Sequence, residues 1–168
     1  RITYAGLEDR TNRVANGLKA LGVGRGDHVA ILVKNDHRFV ETLLGALRTG
    51  ASITPTTTRA HYSTLAHIMG DCGAKVLFAS SDFADEAPKL GKDVADLAHV
   101  FLMDSPADGA DDYDKWLAGQ SADRVETAVA DTDIAFISYT SGSTGMPKGV
   151  LLTHVAVDWM TRNLRRAL

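Results

Sequence analysis

The chain alternates short apolar runs with helical patterns, and this rhythm constrains its fold more than any other feature. HVAILVK at 28–34 is continuous, of strand length and rich in β-branched residues. That is the signature of a strand buried on both faces. ASITP at 51–55, KVLFAS at 75–80, HVFLMD at 99–104 and DIAFISY at 133–139 predict four more strands, and KGVLL at 148–152 a further short one. Residues 3–22 carry Leu7, Val14, Leu18 and Leu21 at helical spacing, with Thr3 placed to cap and Gly22 to stop. A second helix is expected over 36–49, capped at Asn35-Asp36 and closed by Gly50, and a third over 61–73, ended by Gly73. A weaker helix over 82–97 is interrupted by Pro88 and Gly91. Residues 105–132 read as irregular and polar, with one helical turn around Tyr113–Leu117. Thr153 caps a last helix that carries Val157, Met160 and Leu164 on one face, and Trp159 and Met160 are expected to pack on the core. Helix and strand in alternation predict an α/β fold, layered α-β-α, around a mostly parallel sheet. Right-handed crossovers would put helices on both faces.

Composition bounds the function. With 168 residues, 45% of them apolar, the chain can bury one core. A net charge of −3 offers nothing general to nucleic acid or to an anionic membrane. The single cysteine, Cys72, excludes an internal disulfide and fits a reducing cytoplasm; it reads as a small apolar residue, not a nucleophile. No apolar stretch is long enough to span a membrane, and RITYAGLEDR lacks the apolar centre of a signal peptide. The chain opens without methionine and closes inside a helical pattern, so a longer parent polypeptide is expected. Residues 82–114 hold ten acidic side chains against Lys89 and Lys92, the mark of a solvated surface. His61 and His67 stand six apart and cannot share a helical face as metal ligands; together with His28, His37 and His99 they read as surface residues.

Chemistry concentrates at 138–149, SYTSGSTGMPKG, directly after a strand. Phosphate is held by backbone N–H groups, hydroxyl donors and a cation, with glycines letting the backbone approach. Thr140, Ser141, Gly142, Ser143, Thr144 and Gly145 supply all but the cation, and Lys148 supplies that. In a Walker A loop, lysine directly follows the second glycine. Here Met146 and Pro147 intervene, and proline keeps a helix from starting at the usual place. The residues describe a hinged flap with a hydroxyl-rich tip instead. A linker is the bland alternative, but linkers rarely leave a buried strand and re-enter an apolar run within ten residues. Another class of phosphate loop is the remaining competitor.

YTSGSTGMPKGVLLTH resembles the phosphate-loop signature of the adenylate-forming superfamily, which includes acyl-CoA synthetases, adenylation domains of nonribosomal peptide synthetases, and luciferases. TYAGLEDRTNRVANGLKALGVGRGDHVAILVKN is similar to the family's opening helix and strand. GALRTGASITPTTTRAHYSTLAHIMGDCGAKVLFAS resembles the segment that follows, with 82–132 the least diagnostic part. The resemblance implies an incomplete N-terminal subdomain over 1–168. It also implies a two-step reaction: a carboxylic acid and ATP give an acyl-adenylate and pyrophosphate, and a thiol such as coenzyme A then displaces AMP. Carried over by position, residues 140–145 would cradle the β- and γ-phosphates, Thr140 would lean on Mg²⁺, and Lys148 would steady the phosphate charge, with Thr144 and Lys148 central to catalysis. His154 would lie near the acyl pocket or the base of the loop, or simply start a helix. Thr56-Thr57-Thr58 stands where relatives often carry Asn or another polar residue, and it reads as a surface turn. The family's acidic Mg²⁺ ligand, ribose-binding aspartate, adenine pocket and C-terminal catalytic lysine would lie beyond residue 168, so the chain alone is expected to be inactive. Two alternatives stay open: a peptide-synthetase adenylation domain, and a non-catalytic assembly module that keeps the fold. An oligomer is compatible with all three.

Overall fold

The computed structural model describes residues 2–104, 107–141 and 145–167. Helix α1 (Tyr4–Ala20) starts where expected: Thr3 is extended and its hydroxyl accepts from the Gly6 amide at 3.1 Å. It leads into β1 (His28–Leu32). Helix α2 (His37–Thr49) is capped by Asp36, whose carboxylate accepts from the Arg38 amide, and ends at Gly50 in the left-handed region. Next come β2 (Ser52–Pro55), α3 (Tyr62–Asp71), β3 (Ala74–Ser80), a 3₁₀ turn at Ser81–Phe83, α4 (Ala87–Asp93) and β4 (His99–Met103). Then follow β5 (Asp111–Asp112), α5 (Tyr113–Ala118), β6 (Ile134–Thr140), β7 (Lys148–Thr153) and α6 (His154–Ala167).

The described strands form one sheet in the order β5-β4-β3-β1-β2-β6-β7. Every neighbouring pair is parallel except β6 and β7, which form an antiparallel hairpin at one edge. The α-β-α layering follows from the apolar run in β1. Val29 and Ile31 join Val14, Leu18, Ala46, Tyr113 and Leu117 beneath α1, α2 and α5. Ala30 and Leu32 join Leu65, Met69, Ala87 and Leu90 beneath α3 and α4. These four of the five β1 residues are fully buried, as a strand covered on both faces requires.

Several expectations need correction. Strand β1 stops at Leu32, two residues early. The helix expected over 82–97 breaks into the 3₁₀ turn and the seven-residue α4, with Pro88 in its first turn, where a missing N–H costs nothing. Residues 105–132 are less irregular than their polarity suggests: β5 pairs with β4, and Tyr113 is wholly buried. Tyr113 and Trp116 join Phe78 and Phe101 in an aromatic cluster with ring centroids 4.4–6.0 Å apart. His28 is not a lone surface residue, since its Nδ1 meets the buried Ser52 hydroxyl at 2.5 Å. Trp159 and Met160 do not pack on the core. They are 68% and 56% exposed and, with Leu164, leave the apolar stripe of α6 uncovered by any layer of the described residues.

Candidate functional site

Strand β6 runs between the buried β2 and the exposed β7, which returns beside it, so the tip of the hairpin lies at the carboxyl end of β6. That is the edge at which open α/β sheets hold ligands. Thr140, the last residue of β6, pairs in register with Lys148, the first of β7. Both are exposed, and Ser141 continues outward from Thr140, also exposed. The hydroxyl and the ammonium that the sequence nominated therefore stand at facing positions. Gly145 has φ +100°, which L side chains rarely adopt, so this turn requires glycine. Gly142, Ser143 and Thr144 lie outside the described residues.

Two contacts tie the hairpin to α3, and sequence reasoning missed both. The Tyr139 hydroxyl donates to Asp71 Oδ2 at 2.6 Å; burial first, and then this carboxylate, push the phenol well above its ordinary pKa. His67 Nε2 meets the Pro147 carbonyl at 3.2 Å and, since a carbonyl only accepts, acts as the donor. His67 is half-buried, which corrects its reading as a plain surface residue. The Asp-x-Gly-Ala-Lys step at 71–75 was visible in the sequence, but nothing local linked it to a loop some seventy residues later.

His154 is not brought to the loop. It begins α6 beside the start of β6, where its amide donates to the Asp133 carbonyl at 3.0 Å. Strand β6 then separates it from Thr140 by about 20 Å. A place at the base of the loop is therefore corrected. Its Nε2 is buried and has no hydrogen-bond partner among the described residues. Cys72 is 7% exposed, and burial raises its thiol, so it is the small apolar residue expected. No group of three His, Cys, Asp or Glu side chains among the described residues could hold a metal ion unaided. No helix among them is long and apolar enough to cross a membrane.

A mostly parallel α/β sheet that ends in a hairpin, with Thr140 and Lys148 paired beside its tip, defines a class of α/β proteins that hold ligands at the carboxyl ends of their strands. Residues 1–167 match the family described as AMP-binding enzyme, and the chain belongs to that adenylate-forming family. It is 37% identical to feruloyl-CoA synthase from Amycolatopsis sp. over 97% of the chain and 30% of the relative. It is 31% identical to a linear gramicidin synthase protein from Brevibacillus parabrevis over 98% of the chain and 2% of that protein. Among solved structures, the anthranilate CoA ligase AuaEII in complex with anthranoyl-AMP superimposes with a TM-score of 0.86 at 27% identity, over 91% of this chain and 30% of that one. The chain thus spans about 30% of the length of these two ligases.

Proposed function

We propose that the chain supplies the phosphate-gripping part of an AMP-forming acid–thiol ligase, one that joins a carboxylic acid to ATP and then passes the acyl group to coenzyme A. One observation carries the reading: the register that pairs Thr140 with Lys148 beside the tip of the hairpin. Attack of the substrate carboxylate on the α-phosphorus expels pyrophosphate, and the charge building on that leaving group needs donors already in place. Thr140, Ser141, Gly142, Ser143, Thr144 and Gly145 receive it through hydroxyls and amides, while Lys148 offers a mobile point charge. Mg²⁺ arriving with the nucleotide would shield the phosphate oxygens, and Thr140 can lend it one hydroxyl. The acidic ligands it also needs would come from the rest of the polypeptide. His154 starts α6 and, in this reading, keeps the place beside the acyl pocket, where the rest of the polypeptide would satisfy Nε2.

The acid is aromatic or fatty in this reading. Feruloyl-CoA synthase and the anthranilate ligase support the aromatic class, and the 37% identity to the former, against 31% to the gramicidin synthase, favours coenzyme A over a carrier-protein thiol. The match to a gramicidin synthase supports the second reading, an adenylation domain. A thioester-formation screen over aryl and fatty acids, with free coenzyme A against a carrier protein, separates the two. In the complete polypeptide, Lys148→Ala and Thr144→Ala should each slow acid-dependent ATP–pyrophosphate exchange by roughly a hundredfold, with the denaturation midpoint unchanged. Wild-type exchange rates in both variants would overturn the assignment.

A further inference from the structure

We infer that α3 is the positioning element for Lys148: Asp71, acting through Tyr139, and His67, acting through the Pro147 carbonyl, grip the two legs of the hairpin on either side of the lysine. His67 and Asp71 stand four apart near the end of α3 and so share one face of it. That face meets β6 through the 2.6 Å Tyr139–Asp71 hydrogen bond and meets the returning chain through the 3.2 Å His67–Pro147 bond. Pro147 has no N–H of its own, so its carbonyl is the only backbone hydrogen-bonding group it offers.

The hairpin register completes the grip. Tyr139 lies opposite Gly149, the residue after Lys148. A Cβ at Gly149 would fall 3.0 Å from Ile137 Cγ2, 3.2 Å from Tyr139 Cζ and 3.3 Å from Tyr139 Oη. The phenol therefore rests over bare backbone, and glycine is what lets the hydroxyl reach Asp71. Residues 147 and 149 are both fixed, and the lysine between them leaves the sheet in a set direction. None of His67, Asp71 or Tyr139 needs to touch a substrate, so they are positioning residues. Their effect on ATP rests on the function proposed above; their effect on the hairpin does not.

The test uses the complete polypeptide with Tyr139→Phe, which removes only the hydroxyl, His67→Ala, and His67→Gln, whose side-chain amide can still donate to a carbonyl. Amide hydrogen exchange over 145–150 should speed up about tenfold in Tyr139→Phe and His67→Ala, stay unchanged in α1, and return to normal in His67→Gln. In ATP–pyrophosphate exchange the same two variants should raise KM for ATP by about fivefold to tenfold with a smaller change in kcat, and His67→Gln should again recover. Unchanged exchange over 145–150, or an increase spread evenly over the whole chain, would overturn the inference. A wild-type protein with no ATP–pyrophosphate exchange would instead sink the proposed ligase reading, while the amide measurement still judges the grip.

Discussion

Glu41 has no exposed surface, yet its carboxylate is fully engaged. Arg10 donates to its two oxygens at 2.6 and 2.8 Å, and the Tyr113 hydroxyl donates at 2.6 Å. The hydrogen bond to Glu41 raises the Arg10 pKa further, while burial, then the Glu41 charge, push the Tyr113 phenol well up. Three helices, α1, α2 and α5, thus meet at one carboxylate. Glu41→Ala should cost about 3–5 kcal/mol, because it leaves the buried Tyr113 phenol without its partner and the Arg10 guanidinium with only its 3.3 Å contact to Asp114. Urea denaturation of the purified chain would read this as a lower midpoint, and a loss under about 1 kcal/mol would show the network to be ornamental. None of this was legible in HRFVETLLGALRT, where a glutamate among helical residues reads as solvated. Its partners lie 31 and 72 positions away. Lys148 was legible for the opposite reason: its companions are its neighbours in sequence.

At the level of elements, caps and breakers carried most of the information. Thr3, Asp36 and Gly50 announce their helix ends through local hydrogen bonds and a positive φ, which need no tertiary contact to be read. Strand β5 could not be seen, since two aspartates have poor strand propensity and become a strand only by pairing with β4. The contacts of α1 with α2 and with α5 were equally hidden. A Cβ at Gly45 would lie 2.5 Å from the Cβ and Cγ1 of Val14, and one at Gly17 would lie 2.3 Å from the Trp116 ring. Helix propensity alone says that Gly45→Ala should stabilise by up to about 1 kcal/mol. The clash falls on a branched carbon that cannot rotate away, so the opposite sign is expected, a loss of about 1–3 kcal/mol. Thermal denaturation decides between the two, and a raised melting temperature would contradict the close packing described for these helices.

For the whole molecule, acid should act in two stages. Burial holds the His28 imidazole below its ordinary value of 6.5; the nearby Asp27 charge opposes this and Lys75 adds to it. The unfolded chain therefore takes up a proton near pH 6.5 before the folded one does. His28 contributes stability that is complete above that pH and is lost as pH falls through the window beneath it. Asp27 and Asp36 respond lower down. Burial raises both, but hydrogen bonds outweigh it, from Lys75 and the Gly24 amide to Asp27 and from the Arg38 side chain and amide to Asp36, and hold both below 3.8. Their contribution is present above 3.8 and disappears only below it. His28→Asn, which keeps a partner for Ser52, should flatten the melting temperature between about pH 7 and 5 and leave the fall at lower pH intact. An unaltered slope in the upper range would rule His28 out as its source.

The strand order also fixes a sequence of events on the ribosome. The platform of β1 to β5 is complete by residue 112, whereas the hairpin strands emerge only after residue 133. Until then β2, which later sits between β1 and β6, is a nascent edge with open backbone groups. It is four residues long and finishes in proline, which leaves a stray strand little to bind. When β6 arrives, its preceding Asp133 is met by Arg25 at 2.6 Å, at the turn that leads into β1. The hairpin is thus laid down after the five strands that receive it, onto a scaffold already able to hold it.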